Sequence, residues 1–440
     1  MKTLFDMSKA VAEYKQQNRF AEALLCFKQH KMQFSKEQLL ANSYLMANMI
    51  HCLRKDKQFD AISVFAKIYG IDFDNKVDHL ILNAYAWAIY DTIQSGKYPT
   101  PYPELISVFR CLSISSHPIS QNTLSVLFNV FVKSEKLKQN HNYEQIQKVC
   151  QSVDPNRLSM QSFKAEIEIK NKTKNVDMAS PAEKWYSLMT KTYFELGKFQ
   201  VCIDCCDEAF IRIKEFHFSN NHWLMFRKAQ CLSKLSKPDE ALKLLFTVYT
   251  FKKDWFVEKQ IADSYFQMGN FEQSKIYLFK AYLNYGELKY KGELILLLSE
   301  MFKIEKEADL SLKTLLLYKL VRENSGWKCS YEISRTLESL QNSALSMVSL
   351  KNELKQIATD YLNGLEEQNG MRASIQKILN SNERGANGFL KTESGKTYYF
   401  VAKPNVLQKK PLQAGTKVIC SHPEQMPNGK MSVRLQKAME

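Results

Sequence analysis

Apolar residues over roughly the first 365 positions recur at three- and four-residue intervals, the spacing that lays one stripe along an α-helix. The pattern also repeats on a longer scale. Residues 183–209 contain Tyr193, Gly197, Phe199, Cys202 and Ala209, and residues 255–281 contain Ala262, Tyr265, Gly269, Phe271 and Ala281. With position 1 at Glu183 and at Trp255, Tyr falls at 11, Gly at 15, Phe at 17, a small residue at 20 and Ala at 27. A third copy begins at His222, with Ala229 at 8, Leu232 at 11, Ala241 at 20 and Leu245 at 24, so the copies start 39 and 33 residues apart. Small residues at 8, 20 and 27 let two helices approach closely, and the larger residues at 11 and 24 fill the gap between them. Gly197 and Gly269 suit a tight turn between the helices.

Weaker copies start at Leu4 (Tyr14, Phe20, Ala23, Phe27) and at Ser43 (Leu53, Phe59, Ile62, Ala66). Further helical periods run near 79–94, 103–115 and 121–135, and over Lys291–Lys303, Ala308–Glu323 and Ser330–Leu362. Seven to ten helix pairs are expected. Gln151–Pro181 breaks the pattern with Asp154-Pro155, the polar run at 170–175 and Ser180-Pro181, which predicts an irregular crossover with Ser180 capping the next helix. From Met371 the period changes to alternation. Strands are expected at Ser374–Leu379, Gly388–Lys391, Thr397–Val401, Lys417–Ser421 and Lys430–Lys437.

Composition agrees with a mainly α chain: only 14 Gly and 11 Pro occur in 440 residues. Charge adds a second feature. The chain has 61 Lys and Arg against 46 Asp and Glu, a net of +15. Residues 371–440 hold twelve basic and four acidic side chains, net +8, while the other 370 residues hold 49 and 42, net +7. Clustered positive charge points to a polyanion partner; a lysine-rich composition without such a partner is the competing reading.

No stretch has the roughly 18–20 uninterrupted apolar residues of a membrane span, and Met1–Gln17 lacks the apolar core of a secretory signal. Ten scattered Cys argue against a disulfide framework, so a reducing, cytoplasmic setting is expected. Cys202, Cys205 and Cys206 have the look of a metal half-site, but Cys202 and Cys206 fall at repeat positions 20 and 24, where small side chains pack. No metal or other cofactor is expected. His217 and His222 are read as solvated turn residues. No phosphate-binding loop, nucleophile elbow or zinc-protease motif occurs, so no catalytic residue is assigned.

The helical copies resemble the tetratricopeptide repeat. The resemblance implies an α-solenoid whose groove is lined by repeat positions 2, 5, 9 and 12. Here these are Lys184, Ser187, Lys191 and Phe194; Trp223, Phe226, Gln230 and Ser233; and Phe256, Lys259, Asp263 and Phe266. Such a groove suits a peptide or acidic partner segment, although some of these aromatics are equally suited to packing on neighbouring helices.

The C-terminal segment resembles the cold-shock domain. The carrying residues are Arg384-Gly385-Ala386-Asn387-Gly388-Phe389-Leu390 and Thr397-Tyr398-Tyr399-Phe400-Val401, followed by Leu412, Gly415 and Val418 and by Asn428-Gly429-Lys430. The resemblance implies a five-stranded OB-like β-barrel that binds single-stranded RNA or DNA by stacking and charge. The family's aromatic pair on the first strand is replaced by Ile378 and Leu379, its motif Tyr by Ala386 or Asn387, and its motif His by Val401. Phe389 and Tyr399 remain as stacking residues, with Tyr399 expected outward, Phe400 in the core, and Arg384, Lys391 and Lys403 as flanking cations.

The expected organisation is therefore a helical block over 1–150, a crossover over 151–181, a second helical block over 182–365 and a barrel over 371–440. Three functions fit: a non-catalytic adaptor joining a protein partner to single-stranded nucleic acid, a pure protein scaffold with the barrel used for docking, or an accessory subunit of a separately encoded enzyme. Proteins resembling this pairing occur in bacteria, some in loci acting against phages, which implies a defence or stress context.

Overall fold

A computed structural model describes residues 3–73, 77–169, 172–337, 345–383, 385–393, 395–404, 412–426 and 431–438. The chain divides into two compact units, Met1–Val248 and Tyr249–Glu440. That boundary falls inside the helical block expected over 182–365.

The first unit contains α1 (Leu4–Gln16), α2 (Phe20–His30), α3 (Lys36–Ala41), α4 (Ser43–Lys55), α5 (Phe59–Tyr69), α6 (His79–Ser95), α7 (Tyr102–Ile114), α8 (Pro118–Leu137) and α9 (Tyr143–Gln151). A hairpin of β1 (Phe163–Ile169) and β2 (Lys172–Met178) follows, then α10 (Pro181–Glu195), α11 (Phe199–Arg212), α12 (Asn220–Lys234) and α13 (Pro238–Phe251), whose last three residues belong to the second unit. The second unit has α14 (Trp255–Gln267), α15 (Phe271–Leu283), α16 (Gly292–Ile304), α17 (Ala308–Asn324), α18 (Tyr331–Thr336) and α19 (Met347–Asn369). The helix expected over Ser330–Leu362 is thus two helices, and 338–344 between them lie outside the described residues. Among the described residues no helix is long and apolar enough to cross a membrane.

The helix pairs share one internal geometry. Thr190, Ala229 and Ala262 at position 8, and Cys202, Ala241 and Ser274 at position 20, are fully buried. Where position 20 carries a hydrogen-bonding side chain, it donates to the carbonyl of position 8. Cys202 Sγ reaches the Thr190 carbonyl at 3.1 Å and Ser274 Oγ the Ala262 carbonyl at 2.9 Å. Ser311 Oγ reaches the Ser299 carbonyl at 2.8 Å, which makes α16–α17 a further repeat with position 1 at Gly292.

The turn is also constant. Position 15 is left-handed in six pairs: Asn18, Lys57, Gly197, Ser236, Gly269 and Lys306 all have φ between 58° and 73°. The N–H of position 16 returns to the carbonyl of position 11 in all six, at 2.8–3.0 Å. This is the closing bond of a Schellman motif. Glycine is the residue suited to it, yet four of these six positions carry a side chain.

Two expectations change here. The crossover 151–181 is not irregular throughout. β1 and β2 pair without a break from Phe163↔Met178 to Ile169↔Lys172. Phe163, Ala165, Val176 and Met178 share one face, and Lys164, Glu166, Asn175 and Asp177 the other. The polar run at 170–175 obscured that two-residue alternation. His217 is not a solvated turn residue: its backbone N–H and its Nδ1 each lie 2.8 Å from the buried Glu183 carboxylate. Asn220 Nδ2 adds a third bond to the same group at 2.7 Å.

The second unit ends in a sheet of β3 (Met371–Asn382), β4 (Gly385–Thr392), β5 (Thr397–Ala402), β6 (Lys417–Cys420), β7 (Glu424–Gln425) and β8 (Met431–Ala438). The two-residue β7 is additional to the five strands expected. Neighbours run β5-β4-β3-β6-β8-β7, and a parallel β5–β8 pairing closes the ring. Numbering only the ring strands along the chain, the order around it is first, second, third, fifth, fourth. Ile375, Leu390, Phe400, Val418, Val433 and Leu435 fill its interior.

Replacing a strained turn residue by glycine should help. Ser236→Gly and Lys306→Gly are each expected to stabilise the protein by about 0.5–1 kcal/mol, the relief of a left-handed Cβ less the extra chain entropy of glycine. A denaturant midpoint that falls in either variant contradicts this.

Candidate functional site

The helical residues expected to line a groove are mostly engaged within the fold. Lys184 Nζ donates to Asn129 Oδ1 at 2.9 Å and lies 4.9 Å from the Phe163 ring centroid. Burial, followed by repulsion from Lys136, lowers its pKa. Lys191 lies over the Tyr143 ring at 6.0 Å. Ser187 offers its carbonyl to Arg227 Nη1 at 3.4 Å. Phe194 packs edge-on against Phe199 of the following helix, with centroids 5.8 Å apart. Trp223 and Phe226 form an edge-to-face pair at 6.4 Å. Phe226 and Ser233 are buried and Gln230 half-buried. These belong to the first unit.

In the second unit, Phe256 packs edge-on against Trp255 at 5.9 Å and Phe266 against Phe271 at 5.4 Å. Lys259 pairs with Asp263 at 2.7 Å and Glu293 at 3.2 Å. Burial acts to lower its pKa, but the two carboxylates outweigh that and raise it. Its charge is taken up by these two carboxylates. The groove aromatics therefore serve largely as packing: Phe194 and Phe266 at position 12 meet the first residue of the following helix, and Trp223, Phe226 and Phe256 at positions 2 and 5 pack within their own helix.

The cysteines also pack. All ten are free, and Cys202, Cys205 and Cys206 are buried. Burial pushes the Cys205 thiol up to about 12. Among the described residues no cluster of three or more His, Cys, Asp or Glu side chains could hold a metal ion.

On the C-terminal sheet the arrangement differs. Phe389 of β4 and Tyr399 of β5 sit directly opposite each other. Their rings meet edge-on, with centroids 5.8 Å apart and planes at 72°. Phe389 remains 39% exposed whereas Phe400 is fully buried. The row continues sideways to Lys377 on β3 and Ser432 on β8. One row along lie Asn387, Val401 and Arg434, and on the other side Ser374, Lys391 and Thr397.

Lys377 and Lys391 are exposed, and neither has an ion-pair partner among the described residues. Arg434 is paired with Glu424 at 2.6 Å. Lys403 is exposed just past the end of β5, four residues beyond Tyr399. Arg384 lies outside the described residues, as do Asn428-Gly429-Lys430.

Lys377 and Arg434 join the face without having been singled out in the sequence. Arg434 could have been found from the alternation of β8. Lys377 could not, because β3 slips register between Ile375 and Lys377 and again between Ile378 and Asn380. A bulge inserts an unpaired residue and reverses the in–out phase beyond it. Gly388 makes the bulge possible. A Cβ there would run into the Lys377 carbonyl oxygen and lie 2.9 Å from Ile378 Cα.

No family model and no curated protein matches the chain. Among solved structures, it is similar to a chain of the APC/C hetero-tetramer Cut9–Hcn1, with a TM-score of 0.36, 13% identity, and 79% of this chain and 74% of that chain covered. It is also similar to the human IFIT1 dimer with PPP-AAAA, with a TM-score of 0.33, 12% identity and coverage of 81% and 79%. At scores this low neither similarity bears on function.

The bulge gives a direct test of how the face is held. Gly388→Ala is expected to destabilise the C-terminal sheet by about 1–3 kcal/mol, since the clash is with backbone and no rotamer change relieves it. Amide hydrogen exchange should speed up across β3–β5 and stay unchanged in α10–α13. Unchanged exchange in the sheet contradicts it.

Proposed function

We propose that this chain is a non-catalytic adaptor, in which the C-terminal sheet binds single-stranded nucleic acid across β4 and β5 and the helical part holds a protein partner. The carrying observation is the pair of exposed Phe389 and half-buried Tyr399, with Lys377 and Lys391 beside Phe389. It lies on the second and third strands of a closed five-strand ring, the strands that OB-type domains use for oligonucleotides. An aromatic ring at the surface offers a stacking platform for any base, and neighbouring lysines neutralise the phosphates on either side. With two rings rather than a broad aromatic sheet, stacking contributes roughly 1–3 kcal/mol per base, and charge supplies the rest.

Protein docking at the same face is the second reading. The observations favouring it are the exposed Val401 beside the aromatic pair and the neutralisation of Arg434 by Glu424. The cytoplasmic setting belongs to the proposal through the ten scattered cysteines, and the bacterial defence or stress context through the cold-shock and repeat resemblance alone.

The test uses the full chain with fluorescent oligo-dT and oligo-U. Affinity is expected to fall steeply between roughly 50 and 300 mM salt. Phe389→Ala combined with Tyr399→Ala should weaken binding by about tenfold or more while leaving the fold intact. Lys377→Glu with Lys391→Glu should abolish it at the higher salt. Absence of binding at the lowest salt overturns the nucleic-acid reading and leaves protein docking. Binding unaffected by the aromatic substitutions leaves charge as its only basis.

A further inference from the structure

The first unit has a second place where apolar and charged groups converge, far along the chain from the helices expected to hold a partner. A cavity of about 230 Å³ opens among α5, α6 and the 98–101 segment, lined by Phe59, Ile62, Tyr85, Ile89, Tyr98 and Pro101 among others. Phe59 and Tyr98 meet edge-on, with ring centroids 5.8 Å apart, and Tyr98 is 36% exposed. The same two residues also wall a neighbouring open cleft of about 560 Å³. The aromatic pair therefore forms the ridge between a pocket and a cleft.

Charge divides across that ridge. The cleft holds Arg54, Lys55, Lys57 and Lys97 against Asp91. Asp91 is taken by Arg54 Nε at 3.3 Å, which leaves three exposed lysines. Lys57 is the left-handed turn residue between α4 and α5, with φ 60°, so its position is fixed by the closing bond from Gln58 N–H to the Leu53 carbonyl at 2.9 Å. The pocket side carries the opposite sign, with Asp60 and Glu104 in its lining. A uniformly anionic strand laid across the ridge would gain on one side and be repelled on the other. A peptide can match both sides.

We propose that this pocket and cleft form a docking site for a peptide that seats one aliphatic or aromatic side chain against Phe59 and Tyr98. Its acidic residues lie to one side only, over Lys55, Lys57 and Lys97. The flank over Asp60 and Glu104 is neutral or basic. Anchoring by one buried side chain supplies affinity, and the charge asymmetry fixes the direction in which the peptide runs. The inference rests on the reading of the helical part as a partner-binding scaffold and is independent of nucleic-acid binding by the sheet.

The probe is a random-peptide display library panned against the full chain, with synthetic copies of enriched peptides measured by fluorescence polarisation. The expected consensus is an apolar anchor with Asp or Glu on one flank. Tyr98→Ala, and separately Lys57→Glu with Lys97→Glu, should weaken those peptides by about tenfold or more. These residues are exposed, so an unchanged helical circular dichroism spectrum is expected. The charge-reversed variant should instead select peptides with a basic flank.

Enriched peptides that ignore these substitutions but are lost on Lys191→Glu overturn this site and leave the scaffold reading standing. No enrichment at all overturns both. Competition by an oligonucleotide for the same residues overturns the peptide assignment.

Discussion

The helix pairs depend on close approach: in three of the six, a side chain on the second helix reaches a carbonyl of the first. That contact, between position 20 and position 8, is seen with a thiol in one pair and with hydroxyls in two others. It sets what each position can hold. In the three best-matching copies position 8 is small or slender, and Thr190, Ala229 and Ala262 occupy it with no exposed surface. Position 20 is small in five of the six pairs, Ile62 being the exception, and in three of them it donates. The bond also satisfies a polar side chain that would otherwise be buried without a partner. The apolar stripes then need only fill the spaces that this spacing defines.

Legibility in the sequence followed how local each constraint is. The spacing of small and aromatic residues is a local signal, and it located α10–α15 and the weaker pairs α1–α2 and α4–α5. The pair α16–α17 escaped as a repeat because its turn residue is Lys306 and its small residues are Ser299 and Ser311, none of which stands out by type. The hairpin β1–β2 was hidden because Lys172 and Lys174 look like loop residues until they are paired with Ile169 and Ile167. The partner of His217 could not be read at all, since Glu183 is 34 residues away. On the sheet, alternation placed Phe389 and Tyr399 on one face, but a bulge in β3 put Lys377 beside them against the simple parity.

The two candidate surfaces use the same ingredients to opposite ends. On the sheet, both lysines lie beside Phe389, Lys377 across on β3 and Lys391 one row along β4, and Arg434 on the same face is already paired. That suits a ligand whose charge is the same along its whole length. At the α5–α6 pocket the rings separate lysines from carboxylates, which suits a ligand whose charge changes along its length. The sign pattern around an aromatic pair, rather than the net charge of +15, is what distinguishes the two kinds of partner. A mildly basic helical part can therefore carry a selective acidic-peptide site without becoming a general polyanion binder.

The left-handed turn shows how such a repeat can drift. Six turns adopt one conformation, yet only Gly197 and Gly269 are the residue that favours it. The Schellman bond is made by backbone alone, so it survives the Asn, Lys and Ser side chains found at position 15, at a cost of about 1–2 kcal/mol each. Each turn is thus free to exchange glycine for a residue that does something else at the surface, as Lys57 does by lining the basic cleft. Over evolutionary time the most recognisable letter of the repeat becomes its most expendable one, and a new binding surface can be recruited from the turns without altering how the helices pack.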